Sequence, residues 1–234
     1  MVNRNLCTEN KQFFKKNETP ARIYLTSNNK IIKSIPVKTN KEYPMMKILQ
    51  KLPNVKAKIF FVKVDEIKRC NKDNFYLLQK YENDIDINFL SSISKDNKIN
   101  ILKQILFAIF YLNNVLNIYH NDIYYKNSIR NVMYVKNELN DNSIIKHANL
   151  KVKCQDYIIK IIDFGWGGCK PGFRTTEYHK KYFPNNKIIS EMLLFIYFYI
   201  LELNQDENGF ANNLCKILKK FSKLIEDELE KKMN

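Results

Sequence analysis

A chain of 234 residues is long enough for one two-lobed domain, or two small ones, around a real core. Hydrophobic residues at 45% and aromatics at 13% exclude a disordered chain. The formal charge of +15 points to an anionic partner, whether nucleotide phosphate, nucleic acid or acidic substrate. The basic residues are scattered, and no zinc-finger, homeodomain or RNP-type signature accompanies them, so a nucleic-acid partner is open but not favoured. Cys7, Cys70, Cys154, Cys169 and Cys215 are dispersed and form no C-x-x-C pair, which speaks for a reducing compartment and against a disulfide framework or zinc site. The start has no apolar signal core, and the most apolar run, residues 192–203, is too short to span a bilayer and contains Glu202. A soluble, cytoplasmic protein without membrane contact is expected.

In chain order, residues 1–17 are polar and read as a flexible start. Two β-rich runs, residues 21–26 and 30–37, flank Ser27-Asn28-Asn29 and predict a hairpin. Residues 43–52 predict a helix, with Pro44 suited to its first turn and Pro53-Asn54 closing it. Residues 58–64 and 74–79 predict two further strands. Residues 18–80 therefore read as a small β-rich lobe with one helix.

Beyond them, Ile101, Ile105, Leu106, Ile109, Leu112 and Leu116 recur at helical spacing and predict a long buried helix over 99–117. It delivers the chain to His120-Asn121-Asp122. Residues 131–135 and 157–162 predict strands, separated by a polar stretch, 136–149, that reads as an exposed insertion. Helical patterns return at 187–203 and 212–232. The fold class is α+β, with residues 81–234 forming the mostly helical part.

The chemistry concentrates in Ile118-Tyr119-His120-Asn121-Asp122-Ile123-Tyr124-Tyr125-Lys126-Asn127 and, further on, Ile161-Ile162-Asp163-Phe164-Gly165. Phosphoryl transfer asks a protein for positioning and charge neutralisation. Asp122 is the candidate for orienting an attacking hydroxyl, and Asp163 for holding magnesium against nucleotide phosphates. An amide oxygen can complete the metal sphere, and two residues compete for that place. Spacing from Asp122 selects Asn127, whereas the run into the following strand selects Asn131. Magnesium takes few protein carboxylates plus phosphate oxygens, so such a set suffices.

Residues 99–166 resemble the catalytic core of the protein-kinase-like superfamily. The wording of His120-Asn121-Asp122, Asn131-Val132-Met133 and Asp163-Phe164-Gly165 is similar to serine/threonine protein kinases of large DNA viruses. The resemblance implies a bilobal fold, with ATP and Mg2+ as cofactors, a protein substrate, and a host-cytoplasm or virion location for a viral chain. It implies that Lys33, in Ile31-Ile32-Lys33, steadies the α/β-phosphates, that Glu42 is its ion-pair partner, and that Glu82 lies at an adenine-contacting hinge. Lys126 stands where tyrosine kinases place an arginine; it supplies a catalytic positive charge or is one more lysine of a lysine-rich chain. Tyr124 takes the place of a phosphate-contacting lysine.

The chain departs from the family pattern at several points. Asn121 replaces the arginine that reads a phosphorylated activation segment. All five glycines follow Phe164, so no glycine-rich loop covers the phosphates, and Ser27-Asn28-Asn29 is the candidate cover. Residues 173–178 read as a short activation segment, no A-P-E follows, and Glu191 is a loose match to the usual aspartate of the central helix. A pseudokinase serving as a binding module, or a small-molecule kinase of the same fold, are the alternatives.

Overall fold

The computed structural model describes residues 12–16, 21–52, 56–125, 128–138, 144–147, 150–182, 191–192 and 194–195. Its first half is an antiparallel sheet of β1 (Gln12–Lys16), β2 (Arg22–Leu25), β3 (Lys30–Pro36), β4 (Val64–Cys70) and β5 (Asp73–Gln79), in the order β1-β2-β3-β5-β4. The β2–β3 hairpin closes as expected: Thr26 N–H donates to the Lys30 carbonyl at 2.9 Å, and Asn29 takes φ 54°. Asparagine tolerates this left-handed corner better than other residues with a Cβ. Asn71, at φ 53°, turns the chain from β4 into β5 in the same way.

The sheet begins earlier than the sequence suggests. Residues 12–16, inside the stretch read as flexible, pair with β2, Lys16 opposite Arg22 and Gln12 opposite Leu25. Because Arg22 in turn pairs with Ser34, the pairing of β1 with β2 ends beside the residue that follows Lys33. Ser27-Asn28-Asn29 lies at the opposite end, where Lys30 pairs with Gln79.

Helix α1 (Tyr43–Lys51) starts with Pro44 in its first turn, where a missing N–H costs nothing, and buries Met45, Met46 and Leu49 on one face. The strand expected at 58–64 is instead a 3-10 turn (Lys56–Phe60) followed by an extended anchor. Phe60, Phe61 and Val62 are all buried, which a continuous apolar run permits without alternation. Phe61 bridges to Ile161, Val62 N–H donates to the Ile161 carbonyl at 2.9 Å, and Phe60 meets Phe107 edge to face. This anchor ties the sheet to the second half, and one apolar core runs through both.

In the second half, β6 (Asn83–Asp84) leads into α2 (Ile87–Ser92) and α3 (Lys95–Phe110). Asp86 and Ser94 cap the two helices by accepting from Phe89 N and Asn97 N, each satisfying an orphan donor. The α3 ladder relaxes into a π turn (Tyr111–Val115), and Asn117 at φ 52° turns the chain toward His120. After the short ladder β7 (Tyr124–Tyr125) and β8 (Ser128–Ile129), β9 (Val132–Lys136) pairs antiparallel with β12 (Tyr157–Ile161) and, at Met133, with β6. Between them β10 (Ile144–His147) and β11 (Leu150–Lys153) form a hairpin that buries Ile145, Leu150 and Val152. The stretch read as an exposed insertion thus contributes to the core. Helix α4 (Phe173–Tyr182) occupies the residues expected as a short activation segment.

The architecture is mixed α+β. Among the described residues no helix is long and apolar enough to cross a membrane. Cys154 and Cys169 are free thiols, whereas Cys70 is disulfide-bonded. That bond departs from the expectation of dispersed, reduced cysteines, because separation along the chain does not set separation in space.

Candidate active site

Three elements far apart in sequence converge on Lys33. Its Nζ lies 2.6 Å from Asp163 Oδ1 and 2.7 Å from Glu42 Oε2. Lys33 comes from the centre of β3, between Ile23 of β2 and Tyr76 of β5. Glu42 immediately precedes α1; its side chain leaves the helix end uncapped and turns to Lys33, while Asn40 accepts from Tyr43 N instead. Asp163 follows β12 at φ 56°, a corner its short polar side chain tolerates, and its Oδ1 also accepts from Gly165 N.

The electrostatics follow from burial and charge together. Burial disfavours the ammonium of Lys33, but the two carboxylates outweigh it and hold its pKa above the usual lysine value. Glu42 is fully enclosed; burial raises its pKa, and the Lys33 charge offsets this only in part. Asp163 is 39% exposed at its side chain, and there the attraction of Lys33 overcomes burial and keeps the carboxyl below its usual range.

The loop before β9 brings in the second set. Asp122 is buried, and Asn131 donates from Nδ2 to the Asp122 carbonyl at 2.8 Å and to its Oδ2 at 3.0 Å. Asn131, itself at φ 56°, accepts from Ile162 N through its main-chain carbonyl at 2.9 Å. His120 Nε2 donates to the Ile162 carbonyl at 2.7 Å, and its ring packs on Phe164 at 4.7 Å. Asp122, Asn131 and Asp163 are therefore tied together through Ile162. Lys126 and Asn127 lie outside the described residues.

A cavity opens beside Lys33. Ile23, Ile31, Leu78 and Gln79 of the sheet line it, together with Val62, Tyr81, Met133 and Ile162. The lining is mostly apolar, with Lys33, Glu42 and Asp163 as its charged groups. Glu82 is exposed one residue beyond Tyr81, its carboxylate paired with Lys80 at 2.7 Å. Tyr124 is buried as well, donating to Thr175 Oγ1 at 3.0 Å, so it does not stand in for a phosphate-contacting lysine.

Two contributors carried little signal in the sequence. Glu191 is fully buried and accepts from His120 N at 3.1 Å, Asn121 N at 2.5 Å and Asn113 Nδ2 at 3.1 Å. Its loose match to a central-helix acid was the only available sign. Lys160 is the other: its Nζ donates to the Ile59 carbonyl and lies 5.7 Å from the centre of the Tyr81 ring. Burial pushes its pKa down to about 8, with Cys154 opposing and Lys63 adding to the shift. The free chain holds that proton to about pH 10.4, so between these values the unfolded state binds more protons and stability rises with pH. Lys160→Met removes this slope. The stability of wild type relative to the variant, from urea denaturation, is expected to rise by about 3 kcal/mol between pH 7 and pH 11. A difference that stays flat would rule out a buried, protonated Lys160.

Among the described residues no group of three or more His, Cys, Asp or Glu forms a metal cluster. The oxygen donors still fit a hard cation that brings other ligands with it. No described residue donates to Asp163 Oδ2, and with Asn131 Nδ2 committed to Asp122 the amide oxygen of Asn131 is left as an acceptor. Comparison with known proteins gives no matching family model and no matching curated protein.

Proposed function

We propose that this chain is a phosphotransferase of the protein-kinase-like class, with its β-rich and mostly helical halves acting as two lobes around the cavity. Within that class the reading is a reduced serine/threonine protein kinase, which moves the γ-phosphoryl of ATP to a protein hydroxyl. The observation that carries it is the convergence of Lys33, Glu42 and Asp163 on a mostly apolar cavity, with Asp122 and Asn131 tied to the same strand end.

In this reading the apolar lining holds the adenine and Lys33 steadies the phosphates, its charge secured by Glu42. Asp163 and Asn131 would hold Mg2+, which supplies neutralisation of phosphate charge when bound. Asp122 orients the acceptor hydroxyl and accepts its proton, and its bond from Asn131 Nδ2 fixes the carboxylate for that task. His120 has a positioning role, since its ring is committed to Ile162 and Phe164.

The test is transfer of labelled γ-phosphate from ATP with Mg2+ to acidic and basic protein acceptors. Wild type should transfer, and Asp163→Asn and Asp122→Asn should each lose at least about 100-fold while remaining folded. Folded wild type without transfer would refute the enzyme. A second reading, a nucleotide-binding module without catalysis, is favoured by the lack of any glycine before Gly165. Nucleotide binding without transfer is its signature.

A further inference from the structure

Asn121 stands beside Asp122 in a left-handed corner at φ 64° and is 3% exposed. Its side chain is turned away from the cavity, into the chain that follows Gly165. Oδ1 accepts from Gly172 N at 2.7 Å and from Thr175 Oγ1 at 2.8 Å. Nδ2 reaches the carbonyls of Trp166 at 3.2 Å, Lys170 at 3.4 Å and Tyr119 at 3.4 Å. The fit is close: a Cβ on Gly172 would come within 3.0 Å of Asn121 Cγ.

Neighbouring bonds repeat the connection. Tyr119 and Gly168 exchange main-chain hydrogen bonds at 2.7 and 2.9 Å, and Tyr124 donates to the buried Thr175 hydroxyl. Every partner of the Asn121 side chain is a neutral group, four main-chain groups and one hydroxyl. Thr175 accepts from Tyr124 and donates to Asn121, so its hydroxyl is committed on both sides.

We propose that Asn121 is a positioning residue that locks residues 165–175 against the loop of Asp122 by neutral hydrogen bonds, so that the acceptor side of the site is assembled in the unmodified chain. The acceptor part rests on the phosphotransferase reading; the lock does not. A segment held this way needs no phosphorylation to become ordered.

The experiment uses the full chain, phosphatase-treated and checked by intact mass, with Asn121→Gly and Thr175→Val. Glycine keeps the left-handed corner and removes only the side chain. Valine removes only the hydroxyl at Thr175. Hydrogen exchange over residues 166–176 is expected to accelerate at least about 10-fold in Asn121→Gly and less in Thr175→Val, with α3 unaffected. In turnover, the acceptor KM should rise in both variants while the ATP KM stays put, and phosphatase-treated wild type should keep its full rate.

Unchanged exchange over 166–176 in both variants overturns the lock, whatever the activity. Loss of rate on phosphatase treatment overturns assembly in the unmodified chain. Local loosening in a wild-type background that transfers no phosphate upholds the lock and defeats the phosphotransferase reading instead. If Asn121→Gly unfolds globally, Thr175→Val decides by the same exchange criterion.

Discussion

Lys33→Met is expected to abolish phosphoryl transfer and to cost about 3–5 kcal/mol of stability, because it strands a buried charge rather than merely deleting a contact. Glu42 is fully enclosed, and the Lys33 ammonium is the one cation within ion-pair distance of it among the described residues. Without it the buried carboxyl is driven further toward its neutral form, so its folded pKa lies well above the unfolded value. Such a group contributes stability that is full below the unfolded pKa and is lost as pH rises through the folded one. Asp163 acts in the same sense on the difference. Its pKa is held low in wild type, so it contributes stability above its unfolded value that is lost as pH falls, and the variant lacks this contribution. The gap between wild type and Lys33→Met should therefore be small near pH 4 and widen toward pH 8. Urea denaturation across that range, alongside nucleotide turnover, measures both effects. A gap that does not depend on pH would contradict the buried triad.

Glu191→Ala should be nearly as damaging, by a different route. Its carboxylate serves two buried main-chain amides of the His120–Asn121 turn and the half-buried Asn113 side chain. Alanine leaves the two main-chain amides without an acceptor, a loss of about 3 kcal/mol at the usual penalty for buried unsatisfied groups, while Asn113 Nδ2 keeps the Ile118 carbonyl. Because Asp122 follows directly, the turn that aims it relaxes and kcat falls with stability. Glu191→Gln keeps one acceptor oxygen but presents an amide N–H toward a main-chain N–H, and should fall between wild type and alanine in both measurements. A Glu191→Ala protein within about 1 kcal/mol of wild type would mean that the amides find another acceptor.

Where residue type and local spacing sufficed, the site could be read from the chain. Asp122 and Asp163 announced themselves through short wordings beside β-rich runs, and the helix leading to His120 through its apolar period. Lys33 and Glu42 were reachable because a strand lysine and an acid at a helix start are local patterns. Asn131 over Asn127 was not settled by spacing, since a loop insertion shifts the count; its contacts with Asp122 and Ile162 place it at the site, while Asn127 lies outside the described residues.

The misreadings share a physical cause, which is that tertiary contact overrides local pattern. Gln12-Phe13-Phe14-Lys15-Lys16 sits in a polar context and shows itself as a strand only once β2 offers an edge. Phe60-Phe61-Val62 carries strand-like composition but is consumed by anchoring to Ile161 and Phe107. Ile145, Leu150 and Val152 are too sparse to signal a core on their own, yet a two-residue alternation across a hairpin buries them.

The left-handed corners have a consequence for how this protein can change. The six described side-chain-bearing residues at positive φ are Asn29, Asn71, Asn117, Asn121, Asn131 and Asp163, and no described glycine adopts such a backbone. At Asn71 the corner turns a hairpin and glycine could take over; at Asn29 glycine would give up an exposed bond from Lys80 Nζ at 3.3 Å. At Asn121, Asn131 and Asp163 the residue that bends the chain is also the one that delivers an amide or carboxylate to its partner. Mutational drift toward the most permissive residue, harmless in a hairpin, there erases a working group in the same step. The three positions are thus doubly constrained: conformation narrows each to asparagine or aspartate, and the partner then selects one of the two, an amide donor at Asn121 and Asn131 and a carboxylate facing Lys33 at Asp163.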